Sequence, residues 1–128
     1  MARIRSVNTK PELAVRSLLH IRGLRFRLYR RDLPGHPDLV FPRYRVALFV
    51  HGCFWHQHEG CRLASKPKTR TDYWTPKLAA NVARDTRSSA ALFSLGWHSE
   101  IVWECVVRDT ERLENWADQF ERVLRRRS

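Results

Sequence analysis

The chain has 128 residues, enough for one hydrophobic core, and is expected to form a single domain over residues 1–128. Its 24 Lys and Arg against 13 Asp and Glu leave a formal charge of +11. Such an excess calls for an anionic partner, and nucleic acid fits it better than a membrane surface, a merely basic surface being the plain alternative. Three cysteines do not make a disulfide framework, and neither an apolar leader nor a membrane-length apolar run is present. A cytoplasmic protein, nucleoid-associated when bound to DNA, is therefore expected.

Thr9-Lys10-Pro11-Glu12 carries helix-start chemistry: Thr9 caps, Pro11 is tolerated in the first turn and Glu12 completes a capping box. The stripe Leu13, Val15, Leu18, Leu19, Ile21 and the stop at Gly23 then predict a helix over 10–22. Residues 24–30 alternate Phe26 and Leu28 against Arg25, Arg27 and Arg30, a half-exposed strand with arginine on its outer face. Leu33-Pro34-Gly35-His36 is turn chemistry. The runs 37–41 and 46–50 read as buried strands, paired antiparallel through a turn near Arg43.

Residues 51–75 have no helical period and are expected to form an ordered functional loop. Thr75 as cap and Pro76 at the first position predict the next helix, running through Leu78, Val82, Ala90, Leu92 and Leu95 to Gly96. A core strand over 97–103 follows. Asp109 or Thr110 then caps a last helix with Leu113, Trp116, Phe120 and Val123 turned inward. The order helix, three strands, loop, helix, strand, helix implies an α/β fold with a mixed central sheet flanked by helices. The crossover from 46–50 to 97–103 makes those strands parallel, so His51-Gly52-Cys53 should lie beside Glu104-Cys105.

That adjacency matters because Cys53-x4-His58-x2-Cys61, with Cys105, offers a closed Cys3His shell for zinc, with His56 and His58 both eligible as the imidazole. A closed shell leaves no position for water and so points to a structural site. Buried reduced cysteines are the alternative. A second group is Asp38, His51 and His56, with Asp85 and Glu12 as further members: a carboxylate suited to Mg2+ next to imidazoles suited to proton transfer. Taken singly, Glu12 reads as a capping residue, Asp38 as a turn residue and Asp85 as a salt-bridge partner of Arg84 or Arg87. Phe54, Trp55, Tyr73 and Trp74 lie in polar, basic sequence, where aromatics either stack on bases or cover the metal loop.

Leu33-Pro34-Gly35-His36-Pro37-Asp38, Phe49-Val50-His51-Gly52-Cys53-Phe54-Trp55-His56, Thr71-Asp72-Tyr73-Trp74, Asn81-Val82-Ala83-Arg84-Asp85 and Val102-Trp103-Glu104-Cys105 together resemble the very-short-patch repair (Vsr) endonucleases. These are bacterial enzymes that nick DNA beside a T:G mismatch. The resemblance implies a restriction-endonuclease-like core, Mg2+-dependent hydrolysis 5' to the mismatched thymine, a structural zinc and a monomer acting on double-stranded DNA. By motif, Asp38 and the Val50 backbone carbonyl look like Mg2+ ligands, and His56 like a catalytic histidine paired with Asp85. His51 looks like a second active-site histidine, and Glu12 like the family's acidic residue near the site. Cys53, His58, Cys61 and Cys105 match the zinc ligands, which assigns His58 to zinc. Phe54, Trp55 and Trp74 match the mismatch wedge, and Lys77, Asn81 and Arg84 are expected to contact DNA. The family's amino-terminal arm is expected to be short or missing. A zinc-stabilised DNA-binding module without catalysis, or a nicking or restriction-type enzyme with another target, are the competing readings.

Overall fold

The computed structural model describes residues 9–127; the expectation about the amino-terminal arm falls on residues 1–8, outside them. Helix α1 (Lys10–Ile21) begins as expected, with Thr9 Oγ1 accepting the Glu12 N–H at 3.4 Å. Its buried stripe is Glu12, Val15 and Leu19, whereas Leu13 and Ile21 face solvent. The apolar tally of the segment misassigned this face, because Glu12 is held inside by polar partners described below.

Four strands follow in the order β1-β2-β3-β4, where β1 is Arg27–Leu28, β2 Leu39–Phe41, β3 Val46–His51 and β4 His98–Trp103. The first two pairings are antiparallel and β3 pairs with β4 in parallel, giving the expected mixed sheet. β1 is far shorter than the predicted 24–30, since Tyr29 enters the left-handed region at φ 54 and breaks the extended run. Helix α2 (Thr71–Ser94) connects β3 to β4, and α3 (Glu104–Val107) and α4 (Thr110–Arg126) complete the chain. α2 starts five residues before the predicted first position, Pro76, which lies inside it. The Arg70 carbonyl accepts N–H bonds from Tyr73 and Trp74, and Trp74 packs on Phe54 and Trp55. That packing offsets the hydrogen bond that a proline inside a helix forfeits. α4 is capped by Asp109, which accepts the Arg112 N–H at 3.2 Å. The short α3 was not predicted.

Strand alternation gives the sheet two unlike faces. Leu39, Phe41, Val46, Leu48 and Val102 point to one side, against Val15 and Leu19 of α1 and Leu113, Ala117, Phe120 and Leu124 of α4. Trp116 packs on the flank of this core and Val123 is only partly buried. Arg22 ties α1 to α4 through Glu114, Asp118 and Glu121. The other side has a small cluster of Leu33, Val40, Ala47 and Leu92. α2 buries only Leu78 and Leu92 there, while Val82, Ala90 and Leu95 of the predicted stripe are exposed. Gly35 at φ +78 lets the 33–36 turn press on α2, where a Cβ would sit 2.8 Å from that of Ser88. Between these apolar anchors α2 arches over polar space, and that space holds the site. None of the described helices is long and apolar enough to cross a membrane.

Candidate active site and metal centre

Because Val50 pairs with Val102 and His51 with Trp103, the chain leaves both parallel strands at one edge of the sheet. The loop after β3 folds back at once: the His56 N–H donates to the Gly52 carbonyl at 3.2 Å and the His58 N–H to the Cys53 carbonyl at 3.0 Å. Gln57, left-handed at φ 47, donates its side-chain amide to the Phe54 carbonyl at 2.7 Å. Across the edge, the Cys53 N–H reaches the Glu104 carboxylate at 3.3 Å.

This fold-back gathers Cys53, His58, Cys61 and Cys105, whose ligand atoms all lie within 4.8 Å of one another. His58 Nδ1 is 3.6 Å from Cys53 Sγ and 3.5 Å from Cys105 Sγ. A tetrahedral zinc with ordinary Zn–S and Zn–N bonds places sulfur and nitrogen about 3.6 Å apart, so the donor set and its spacing fit that ion. Burial pushes the Cys53 thiol up to about 12, with the neighbouring Cys61 and Cys105 sulfurs adding to the rise. A bound dication is the natural counter-charge for such crowded sulfurs. The His58 ring lies flat on Trp103, centroids 4.0 Å apart and planes within 7°.

A second group, His51, His56 and Asp85, borders a cavity of about 550 Å³ under α2, together with Asp38, Val50 and Tyr29. His56 Nδ1 is 2.6 Å from Asp85 Oδ2. The His51 and His56 rings stack, centroids 3.6 Å apart and planes 4° from parallel, and the edge of His51 meets Trp103 at 5.3 Å. His51 is 5% exposed, and its Nδ1 is a buried polar atom without a hydrogen-bond partner. Burial, reinforced by His56, drives its pKa down to about 3, so this imidazole is neutral at physiological pH.

Asp38 lines the same cavity as His51. Its Oδ2 accepts the Val50 N–H at 2.7 Å. Burial lifts the Asp38 carboxyl to about 7; the Val50 hydrogen bond opposes the rise and the charge of Glu12 adds to it. A carboxyl whose burial favours the protonated form suits a divalent cation, which restores the ionised form. Glu12 is 1% exposed and bonded to the Tyr29 hydroxyl, with Arg16 3.6 Å away.

Phe54, Trp55 and Trp74 form one cluster with centroid separations of 5.3–5.7 Å, and Tyr73 packs on Trp74 at 5.0 Å. Phe54, Trp55 and Trp74 are half-buried and Tyr73 is exposed. Asn81 donates to the Trp55 carbonyl at 3.2 Å and Arg84 to Asn81 at 2.9 Å. Asp85 therefore holds His56, while Arg84 is bonded to Asn81. Lys77 lies over the Tyr73 ring. Three participants had no role assigned from the sequence: Tyr29, which was not singled out, and Trp103 and Glu104, which entered only as motif neighbours of Cys105. The signals were faint, namely an aromatic closing an arginine-rich strand and two residues flanking a candidate ligand.

Residues 1–62 match the family model described as DNA mismatch endonuclease Vsr. The chain is 60% identical over 114 residues to the type II nicking enzyme V.XorIIP of Xanthomonas oryzae pv. oryzae, covering 89% of this chain and 83% of that protein. It is 45% identical over 125 residues to the DNA mismatch endonuclease Vsr of Escherichia coli, covering 91% and 80%. To the type II nicking enzyme V.NmeAIP of Neisseria meningitidis it is 38% identical over 109 residues, covering 85% and 77%.

Proposed function

Because the chain belongs to the DNA mismatch endonuclease Vsr family, whose restriction-endonuclease-like core its mixed sheet matches, we propose that it nicks one strand of duplex DNA 5' to the thymine of a T:G mismatch, with Mg2+ as catalytic and zinc as structural ion. We further propose that it acts as a monomeric single domain in the cytoplasm. The observation that carries the reading is the His56–Asp85 bond of 2.6 Å in a cavity shared with Asp38 and bordered by Trp55, on which Phe54 and Trp74 pack.

Asp38 and the Val50 carbonyl are the groups that would hold Mg2+, which supplies charge stabilisation of the phosphodiester oxygens and water activation when bound. The chain's own groups move the proton. With Nδ1 committed to Asp85, Nε2 is the nitrogen of His56 left to take a proton from the attacking water, and Asp85 stabilises the imidazolium that results. Neutral His51 holds the His56 ring by stacking and offers a nitrogen to a phosphate oxygen. Phe54, Trp55 and Trp74 present ring faces and edges to an opened base step. Lys77 and Arg84 meet phosphates, and Asn81 keeps the loop at Trp55 in place.

The names of the nicking-enzyme relatives favour one second reading, a strand nick whose target is set by the surrounding sequence. A nicking assay separates the readings. It compares a T:G duplex, its matched homoduplex and the same mismatch in shuffled flanks, with Mg2+, for the unmutated protein and Asp38→Ala. We expect cleavage of the mismatch alone, lost in the variant. Equal cleavage of mismatch and homoduplex refutes mismatch specificity, and zinc-loaded protein that binds but never cuts refutes the enzyme reading in favour of a DNA-binding module.

A further inference from the structure

Tyr29 holds an aromatic side chain on a left-handed backbone at φ 54, a costly conformation for a bulky residue that persists only where its surroundings enforce it. Two bonds do so. Its backbone N–H donates to the Asp38 carbonyl at 3.3 Å, and its hydroxyl donates to the Glu12 carboxylate. The same hydroxyl oxygen accepts from Arg16 at 3.4 Å, and Arg16 also lies 3.6 Å from the bonded Glu12 oxygen. One residue thus links α1, which carries Glu12, to the start of β2, which follows Asp38, and it borders the cavity itself.

We infer that Tyr29 is a positioning residue: its hydroxyl fixes the Glu12 carboxylate, and its backbone fixes Asp38, at the separation a divalent cation requires. The inference rests on the reading of Asp38 and Glu12 as the acids that serve that cation. Glu12 cannot be held there by packing alone, since a buried carboxylate needs donors. Arg16 supplies charge, and the phenol supplies direction, because its O–H lies in the plane of a ring with few rotamers.

The test measures Mn2+ binding to the free, zinc-loaded protein by electron paramagnetic resonance, alongside nicking kinetics and melting. Asp38→Ala should abolish Mn2+ binding. Tyr29→Phe, which keeps the ring, should weaken it about tenfold by removing one hydrogen bond to a charged group. For that variant the Mg2+ concentration at half-maximal rate should rise and kcat fall, with KM for DNA and the metal-free melting temperature little changed. Glu12→Gln should behave likewise, and the double variant should bind Mn2+ no worse than Glu12→Gln alone, because Tyr29 acts through Glu12. Mn2+ affinity unchanged in Tyr29→Phe but lost in Asp38→Ala overturns the inference and leaves the cation reading standing. Fully additive losses, or a Tyr29→Phe protein that melts far lower, overturn it as well. If Asp38→Ala binds Mn2+ as tightly as the unmutated protein, the cation reading fails and the role of Tyr29 fails with it.

Discussion

Two groups of side chains, one around His58 and one around His51 and His56, meet at one tryptophan yet are built on opposite terms. His58 lies flat on Trp103 and within 3.6 Å of two sulfurs, every donor turned toward a common centre. His56 and His51 stack on each other, with His51 edge-on to the same Trp103, and border an open cavity, while the buried His51 Nδ1 has no partner. The first group satisfies itself and the second leaves chemistry undone. A closed donor set is what holds a loop of little apolar content, whereas an unsatisfied one is what a substrate completes. The comparison predicts that damage to the closed group lowers stability and activity together, and that damage to the open group lowers activity alone.

The largest expected effect is in the open group. His56→Ala or Asp85→Asn should reduce the nicking rate by about 10²–10⁴-fold, the range for loss of a positioned proton-transfer group. DNA affinity and melting temperature should stay close to those of the unmutated protein, and a matching loss of affinity would erase the distinction between the groups. In the closed group, Cys53→Ser or Cys105→Ser should cost about 4 kcal/mol or more, as loss of a structural metal does. Denaturant melts would measure this, and elemental analysis should find about one zinc per chain, absent from the variants. A zinc-free variant that melts and nicks normally would show that the loop needs no clip.

Between the groups, Trp74→Ala should weaken binding to mismatched duplex by about 1–3 kcal/mol, the scale of one base–aromatic stack. Fluorescence titration against matched and mismatched DNA reads that difference. Equal losses on both would mean that the aromatic cluster only roofs the loop.

The smallest effect is on stability against pH. Folding lifts Asp38 from the ordinary 3.8 to about 7, so between those values the folded chain holds a proton that the unfolded chain has released. Stability of the cation-free protein therefore falls as pH rises through that window. Asp38→Asn keeps an acceptor for the Val50 N–H and removes the penalty. It should melt a few degrees higher at pH 8, with the difference vanishing below pH 4, while nicking is lost. His51 has the opposite sign in the same scans: with its pKa lowered to about 3, stability falls as pH drops below about 6.5, where only the unfolded chain takes the proton.

Much of this was legible in the residues. The turn between β2 and β3 and the single long helix before β4 dictated which strands pair and in which direction, and parallel pairing alone brings Cys53 to the edge that carries Cys105. Thiolates and imidazoles at close spacing announced a group able to hold a metal ion. Pro76, by contrast, was misleading. It marks a first helical position by local rules, but Trp74 packs on Phe54 and Trp55 from a distant part of the chain and draws the helix back to Thr71. Leu13 and Ile21 were misjudged for the same kind of reason, since hydrophobic count could not show that Glu12 had a buried place beside Tyr29.

By itself, then, the sequence determined the element order, the mixed sheet, the ligand types and the residues from which a site must be drawn, because periodicity, caps and crossover handedness are local or topological constraints. The resemblance had already assigned His58 to zinc and paired His56 with Asp85; only the tertiary structure decided that Asp38 bonds the Val50 N–H, that His51 stacks on His56, and that Trp103 touches both His58 and His51. Those outcomes depend on the burial, ring orientation and hydrogen-bond competition of side chains distant along the chain, and no spacing rule encodes them.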